Sequence, residues 1–145
     1  MRVSLIAFIG LAFWSGAAHG KEQCSNATLK GAYGLYATGT VIGVGPVGLV
    51  GVLNYDGRGA FTGTVFQKVN GNLVQFTLTG TYSVDSNCVS TDVSLTSTGQ
   101  SATHTVVIVD NGNEFYSLNT TLSPGNVVVG IGKRQFAADD SGDDR

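Results

Sequence analysis

The chain alternates between strand-length apolar runs and short clusters of turn-forming residues. Runs rich in Val, Thr and Phe are separated at near-regular intervals by Asn, Asp, Gly and Pro, which favour tight turns. The clearest of these turn clusters lie at 55–59, 69–72, 110–113 and 123–126. The pattern predicts about eight antiparallel strands, and no run after the first twenty residues has convincing helical periodicity.

A meander of this size removes its exposed edges most simply by closing on itself. The predicted fold is therefore all-β: a closed eight-stranded antiparallel up-and-down barrel. One short helical turn, at 25–31, is expected to brace one end of it. The predicted strands are 32–42, 47–55, 60–69, 73–84, 89–96, 102–109, 114–122 and 127–136.

The fourth predicted strand separates an inner from an outer face most clearly. Val74, Phe76, Leu78 and Tyr82 share one face, whereas Gln and Thr residues occupy the other. Gly80 lies on the apolar face, where a glycine lets a strand bend sharply at a barrel corner. The same interpretation suits Gly34 and Gly63.

Residues 1–20 have the pattern of a signal peptide, with Arg2 before an apolar core and small residues after it. Cleavage is expected after Gly20 or, alternatively, after Ala18. The apolar run is too short to span a bilayer comfortably. The barrel domain is then 21–136, and 137–145 is a disordered acidic tail. These features predict a secreted or periplasmic protein without a membrane anchor.

The two cysteines, Cys24 and Cys88, are expected to form a disulfide in such an oxidising compartment; two buried free thiols are the alternative. Two thiols with His104, the one histidine left after cleavage, do not make a structural zinc site, so no metal and no cofactor is expected. The net charge of −2 includes the acidic tail and leaves no basic surface for nucleic acid.

Two later segments, 106–109 and 127–129, are apolar on both faces. Their outward side chains would be covered in a homo-oligomer, a dimer or a trimer, or by another partner. Alternatively, valine is simply a good strand former that is tolerated outside. The glycine-rich segment 41–48 carries no lysine and opens no helix, so it is not a phosphate-binding loop. It is either a lid or a glycine-relaxed turn.

The ionisable residues give two weak catalytic candidates, His104 and Tyr82. His104 and Glu114 lie on neighbouring predicted strands, but a turn at 111–112 places Val109 opposite Glu114 and His104 opposite Asn119. In that register His104 and Glu114 point to different sides of the sheet and cannot form a dyad. A one-residue bulge would reverse this conclusion.

Several segments together resemble a group of small exported bacterial proteins whose barrel looks like the allene oxide cyclase and dirigent type, or more loosely a calycin. They are Cys24 with 27–34, then 56–59, 80–84 with 87–88, and 132–135. The resemblance implies an eight-stranded barrel with an apolar cavity, often trimeric in the plant relatives, that works without metal or organic cofactor. Allene oxide cyclases steer cyclisation of a fatty-acid epoxide, and dirigent proteins steer coupling of phenolic radicals. Their functional acidic residues have no placeable counterpart in this sequence.

These observations predict a barrel that binds a small apolar ligand in its lumen. Five aromatic residues are expected to line that lumen: Tyr36, Phe61, Phe76, Tyr82 and Phe115. One alternative is a cofactor-independent cyclase or isomerase in which His104 or Tyr82 is the polar anchor. Another is a structural or surface-interaction module whose core is packed solid.

Overall fold

The computed structural model describes residues 23–136 and shows one closed antiparallel barrel in which the strands follow in chain order. Each strand pairs with its neighbours in sequence, and β1 pairs with β8 to close the barrel. The predicted fold is confirmed. The eight strands are β1 (Lys30–Val41), β2 (Gly45–Asp56), β3 (Ala60–Val69), β4 (Asn72–Val84), β5 (Val89–Thr96), β6 (Ser101–Val109), β7 (Glu114–Asn119) and β8 (Val127–Arg134).

The predicted signal peptide (1–20) and acidic tail (137–145) lie outside the described residues, so both stay predictions. Within 23–136, no helix is long and apolar enough to span a bilayer. The glycine-rich first hairpin is a three-residue turn at 42–44 between two long strands. Its position at the barrel rim is fixed by the side chain of Asn126, whose Oδ1 accepts a hydrogen bond of 2.6 Å from the Ile42 amide.

Two strands end at least two residues earlier than predicted: β8, expected to reach residue 136, ends at Arg134, and β7 is shorter still. The seventh was expected to reach residue 122, but β7 ends at Asn119. Beyond it the Thr120 amide donates to the Thr103 carbonyl at 2.8 Å, and the Asn119 side chain accepts from the Thr121 amide at 3.0 Å. The asparagine thus makes its own turn, which draws the chain away from the β8 ladder.

Asp56 organises the turn between β2 and β3. Its Oδ1 accepts hydrogen bonds from the amides of Arg58, Gly59 and Ala60 at 2.7, 2.9 and 3.0 Å. These bonds hold the pKa of the Asp56 carboxyl below its ordinary value. Gly57 adopts a φ of +76°, a conformation that costs glycine little. The Asp-Gly sequence therefore acts here as the turn chemistry that was predicted.

A plug closes the barrel at the end that holds the first residues of β1. It is a 3-10 turn (Asn26–Thr28) followed by Leu29, whose side chain is fully buried. A disulfide joins Cys24 to Cys88 with a Cα–Cα distance of 5.0 Å, so the alternative of free thiols is wrong. The predicted role of the helical turn as a brace is confirmed.

Arg134 fastens the plug to the barrel wall. Its guanidinium donates hydrogen bonds to the Lys30 carbonyl, to the Gly112 carbonyl at 3.0 Å and to the Thr28 carbonyl at 3.4 Å. The same group lies 5.0 Å from the centre of the Tyr33 ring. One planar cation therefore binds carbonyl groups of three segments: the plug, the start of β1 and the turn before β7.

A layer of aromatic rings fills the barrel directly above the plug. Its members are Tyr33, Tyr55, Phe61, Tyr82 and Phe115, all buried. Tyr55 is central, with ring centroids of its neighbours 5.0 to 6.0 Å away. Glycines make room for these rings, since a Cβ on Gly80 would overlap Phe61 and one on Gly132 would overlap Phe115.

Candidate functional site

Above the aromatic layer the barrel is hollow. The cavity has a volume of about 720 Å³, within the range of ligand pockets in proteins. Val41, Val44, Gln100 and Leu122 line it at the end formed by the hairpin turns. The plug and the aromatic layer close the opposite end. The lumen is therefore a cup, sealed below and bordered by the hairpin turns above.

The two sides of the cup differ in chemistry. Strands β1 to β4 contribute a mainly apolar wall, in which Gln67 is the polar exception: Leu35, Ala37, Val47, Leu49, Leu53, Val65, Phe76 and Leu78. Strands β5 to β7 contribute a mainly polar wall, which also includes Ala102 and Val106: Asp92, Ser94, Thr96, His104, Ser117 and Asn119. A ligand that fits this lumen therefore has a mainly apolar body and polar groups along one edge.

Asp92 is the buried carboxyl group of the polar wall. It is 3% exposed, and its two oxygens accept hydrogen bonds from the Tyr55 hydroxyl at 2.8 Å and the Ser90 hydroxyl at 2.5 Å. Burial raises the pKa of the Asp92 carboxyl, and these two hydrogen bonds oppose that shift. Burial and the Asp92 carboxylate raise the pKa of the Tyr55 phenol well above its ordinary value.

Strand register sets Asp92 in a row of polar residues. Asp92 pairs with Tyr82 on one side and with His104 on the other, and His104 pairs with Asn119. Side chains paired in this way share a face, with Cβ atoms roughly 5 Å apart. The His104 Nε2 lies 3.4 Å from the Asn119 Nδ2, and burial lowers the pKa of the imidazole.

Three of the five residues predicted to line the lumen do so. Phe61 and Phe115 form its floor, and Phe76 lies on the apolar wall. Tyr36 does not, because its neighbours Leu35 and Ala37 take the inward positions of β1 and leave it 56% exposed on the outer surface. The prediction for Tyr36 is wrong for this reason of strand parity.

Tyr82 points inward but below the cavity. Its hydroxyl donates to the carbonyl oxygens of Asn26 and Leu29, 3.0 and 2.9 Å away, in the plug. Burial raises the pKa of Tyr82 to about 12. The phenol therefore anchors the plug, and it is not the polar anchor in the lumen that was considered for a catalytic role. His104, the other candidate, does line the lumen.

The predicted register between β6 and β7 is confirmed: Val109 pairs with Glu114 and His104 pairs with Asn119. His104 faces the lumen, whereas Glu114 forms an ion pair of 3.1 Å with Lys133, a residue of the outer surface. The turn between the strands is a 3-10 turn (Asp110–Gly112), yet the pairing beyond it is unchanged. The dyad of His104 with Glu114 does not form.

Sequence reasoning did not select Asp92, Tyr55 or Asn119 as site residues. One signal was present for Asp92. On β5 the alternation is inverted, with Ser90, Asp92 and Ser94 inward and buried while Val93 and Leu95 face outward. An inward polar face on one strand of a barrel marks a wet or functional wall, and period-two counting alone does not tell which face is inward.

Among the described residues no group of three or more His, Cys, Asp or Glu side chains is placed to hold a metal ion. No protein-family model matches the chain, and a comparison with curated proteins gives no match either. Among solved structures the chain is similar to a redesigned β-barrel, with a TM-score of 0.58 and 13% identity. That match covers 81% of this chain and 100% of the designed one, and at this identity it supports the barrel fold alone.

Proposed function

We propose that this protein is exported and binds a small, mainly apolar molecule in the lumen of its barrel. The observation that carries the proposal is the cavity of about 720 Å³ above the aromatic layer. A barrel that serves only as a structural module is filled by its own side chains. Here large aromatic residues converge at one level, and the lumen above that level is free.

Export is supported by two features. Residues 1–20 have a signal-peptide pattern, and the Cys24–Cys88 disulfide suits an oxidising compartment. N-terminal sequencing of the protein from culture medium or periplasm tests this part. A mature chain that begins at Lys21 or His19 is expected, and an intact Met1 terminus on all of the material would contradict it.

Ligand binding is tested by a substitution that fills the cup. Ala102 lines the lumen on β6, whereas Thr105 on the same strand is exposed on the outer surface. Ala102→Phe places a ring inside the cavity and Thr105→Phe places the same ring outside. We expect the neutral fluorophore N-phenyl-1-naphthylamine to bind the natural protein and Thr105→Phe, and to bind Ala102→Phe at least tenfold more weakly. Equal binding by all three proteins would place the fluorophore outside the lumen and contradict the proposal.

Native mass spectrometry of protein purified from its source organism identifies the ligand class. A reproducible extra mass that is lost in Ala102→Phe supports the proposal. Protein that is empty in every preparation, together with a lumen that takes up no fluorophore, argues against it.

A second candidate function is a cofactor-independent isomerase or cyclase. It is favoured by the pairing of Asp92 with His104, two groups able to hold or move a proton, on the wall of one cavity. For any substrate that is identified, His104→Gln should then lower turnover while leaving binding of the substrate intact. Unchanged turnover would remove the imidazole from the mechanism.

A further inference from the structure

We infer that the ligand is an apolar molecule that carries a protonated amine, with the Asp92 carboxylate as its counter-ion. This inference rests on the proposed function, since it names the ligand class of the same cavity. Three observations lead to it: the charge of the lumen, the hydrogen-bonding capacity left on Asp92, and the separation of polar and apolar walls.

The lumen holds an acid and no permanent cation. Among the described residues that line the cavity, Asp92 is the one carboxylate, and none is a lysine or an arginine. A carboxylate withdrawn from water is costly unless hydrogen bonds or an opposite charge replace the water. The Tyr55 and Ser90 hydroxyls replace part of it. A cationic ligand group supplies the part that is missing.

The Asp92 carboxylate has unused hydrogen-bond acceptor sites for such a group. A carboxylate offers about four acceptor sites, and each Asp92 oxygen accepts one hydrogen bond, from Tyr55 or from Ser90. An ammonium therefore finds free lone pairs on a carboxylate whose position is already fixed by two partners. Charge-assisted hydrogen bonds of this kind are roughly twice as strong as neutral ones.

The neighbours of Asp92 favour a cation over an anion. His104, its partner in register, has its pKa lowered by burial, so the imidazole is neutral at pH 7 and does not act as counter-ion. Ser94, two residues further along β5, donates its hydroxyl hydrogen to the Ala102 carbonyl at 3.4 Å, so its oxygen can accept a hydrogen bond on the same wall. The apolar wall across the cup, with Leu49 and Phe76, takes the hydrocarbon body of the ligand.

Three probes of nearly the same shape test the charge preference: 1-naphthylmethylamine, 1-naphthalenemethanol and 1-methylnaphthalene, titrated calorimetrically into the full mature protein at pH 7. We expect the amine to bind at least tenfold more tightly than the alcohol, a factor that corresponds to about 1.4 kcal/mol. The hydrocarbon should bind no more tightly than the alcohol. This comparison needs no variant, so it does not depend on how a substitution folds.

The variant Asp92→Asn tests whether the Asp92 carboxylate causes the tighter binding of the amine. We expect it to abolish the advantage of the amine and to leave the affinity for the hydrocarbon within a factor of two. Asp56→Asn is the matched control, because Asp56 lies in an exposed turn at the closed end of the barrel. It should retain the advantage of the amine.

The two proposals fail in different ways. Equal affinity for amine and alcohol, or an amine advantage that survives Asp92→Asn, overturns the inference about charge and leaves the lumen as a ligand site. Binding of 1-naphthaleneacetate more tightly than of the amine overturns it too, because the wall would then prefer an anion. Failure of every probe and of N-phenyl-1-naphthylamine to bind overturns the proposed function itself.

Discussion

At the scale of single residues, Asp92 links stability to ligand selection. Its folded-state pKa is raised by burial above that of an exposed aspartate. The folded protein therefore binds this proton more readily than the unfolded chain does. The contribution of Asp92 to stability is most favourable at acidic pH and is lost as the pH rises through the folded-state pKa.

This pH dependence gives a prediction for Asp92→Asn, a variant in which the side chain no longer titrates but keeps nearly the same shape. Measured by urea denaturation between pH 3 and 8, the natural protein should gain stability relative to Asp92→Asn as the pH falls. Asp56→Asn is the control of opposite sign, because backbone hydrogen bonds lower the pKa of Asp56. The natural protein should lose stability relative to Asp56→Asn on acidification. If the Asp92→Asn difference moved in the same direction as the Asp56→Asn difference, the hydrogen bonds from Tyr55 and Ser90 would outweigh burial.

Individual residues also show where sequence reasoning stops. Tyr33 and Tyr36 are three positions apart on one strand, so they face opposite sides, and only Tyr33 is in the core. The prediction that Tyr36 lines the lumen followed from its residue type and did not consider which side of the strand its position faces. The role of Asp92 could not be predicted from the sequence, because acids are rarely buried. Its hydroxyl partner Tyr55 lies on β2, 37 residues away in the chain.

At the scale of strands and turns, most of the barrel was predictable because its signals are local. The Asp-Gly and Asn-Gly turns and the period-two pattern of β4 fix where strands begin, end and face. The end of β7 was not predictable, because the Asn119 side chain competes with the ladder for backbone partners. The depth of the cavity was not predictable either, since it depends on how five rings from different strands stack.

Substitutions at two glycines test how tightly the aromatic layer packs against the strands. Gly80 and Gly48 both lie inside strands, but a Cβ on Gly80 would overlap the Phe61 ring, whereas one on Gly48 meets nothing within 4 Å. We expect Gly80→Ala to destabilise the protein by about 1–3 kcal/mol through overpacking. Gly48→Ala should be neutral or slightly stabilising, because alanine restricts the unfolded chain. Urea denaturation of both variants measures the difference.

A second readout connects this packing to the lumen. If Phe61 is pushed upward from the floor, Gly80→Ala should also bind N-phenyl-1-naphthylamine more weakly than Gly48→Ala does. Similar stability of the two variants would mean that both the Phe61 ring and the Val93 carbonyl, 2.5 Å from the added Cβ, give way at little cost. The glycine would then serve strand curvature, as its position on the apolar face of β4 first indicated.

At the scale of the whole molecule, the outer surface carries a band of apolar side chains that runs across most of the strands. A row of apolar side chains in register crosses six strands, from β3 through β2, β1, β8 and β7 to β6: Phe66, Val50, Tyr36, Ile131, Tyr116 and Val107. Each is between 37% and 56% exposed, and Val129 and Leu118 widen the row at its centre. The outer face of β5 also carries Val93 and Leu95, whereas that of β4 carries Gln75, Thr77, Thr79 and Thr81.

This apolar surface is widest over β1, β8 and β7, where a second copy of the chain would cover it. Its eight side chains expose roughly 600 Å², if an aromatic side chain counts as about 200 Å². A stable interface buries about 800 Å² per partner, so these side chains would supply most, but not all, of such an interface. We therefore expect a homo-oligomer, a dimer or a trimer, joined through β1, β8 and β7.

Ile131 lies at the centre of the row, between Tyr36 and Tyr116, so Ile131→Lys places a charge where two copies would meet. We expect light scattering after size-exclusion chromatography to show a dimer or trimer of the natural protein at micromolar concentration and a monomer of Ile131→Lys. Thr79→Lys adds the same charge on β4 and should leave the mass of the oligomer unchanged. A monomeric natural protein at that concentration would instead mean that these valines and tyrosines are tolerated in water as strand formers. Because the lumen is enclosed within one barrel, Ile131→Lys should bind N-phenyl-1-naphthylamine as the natural protein does, which separates assembly from ligand binding.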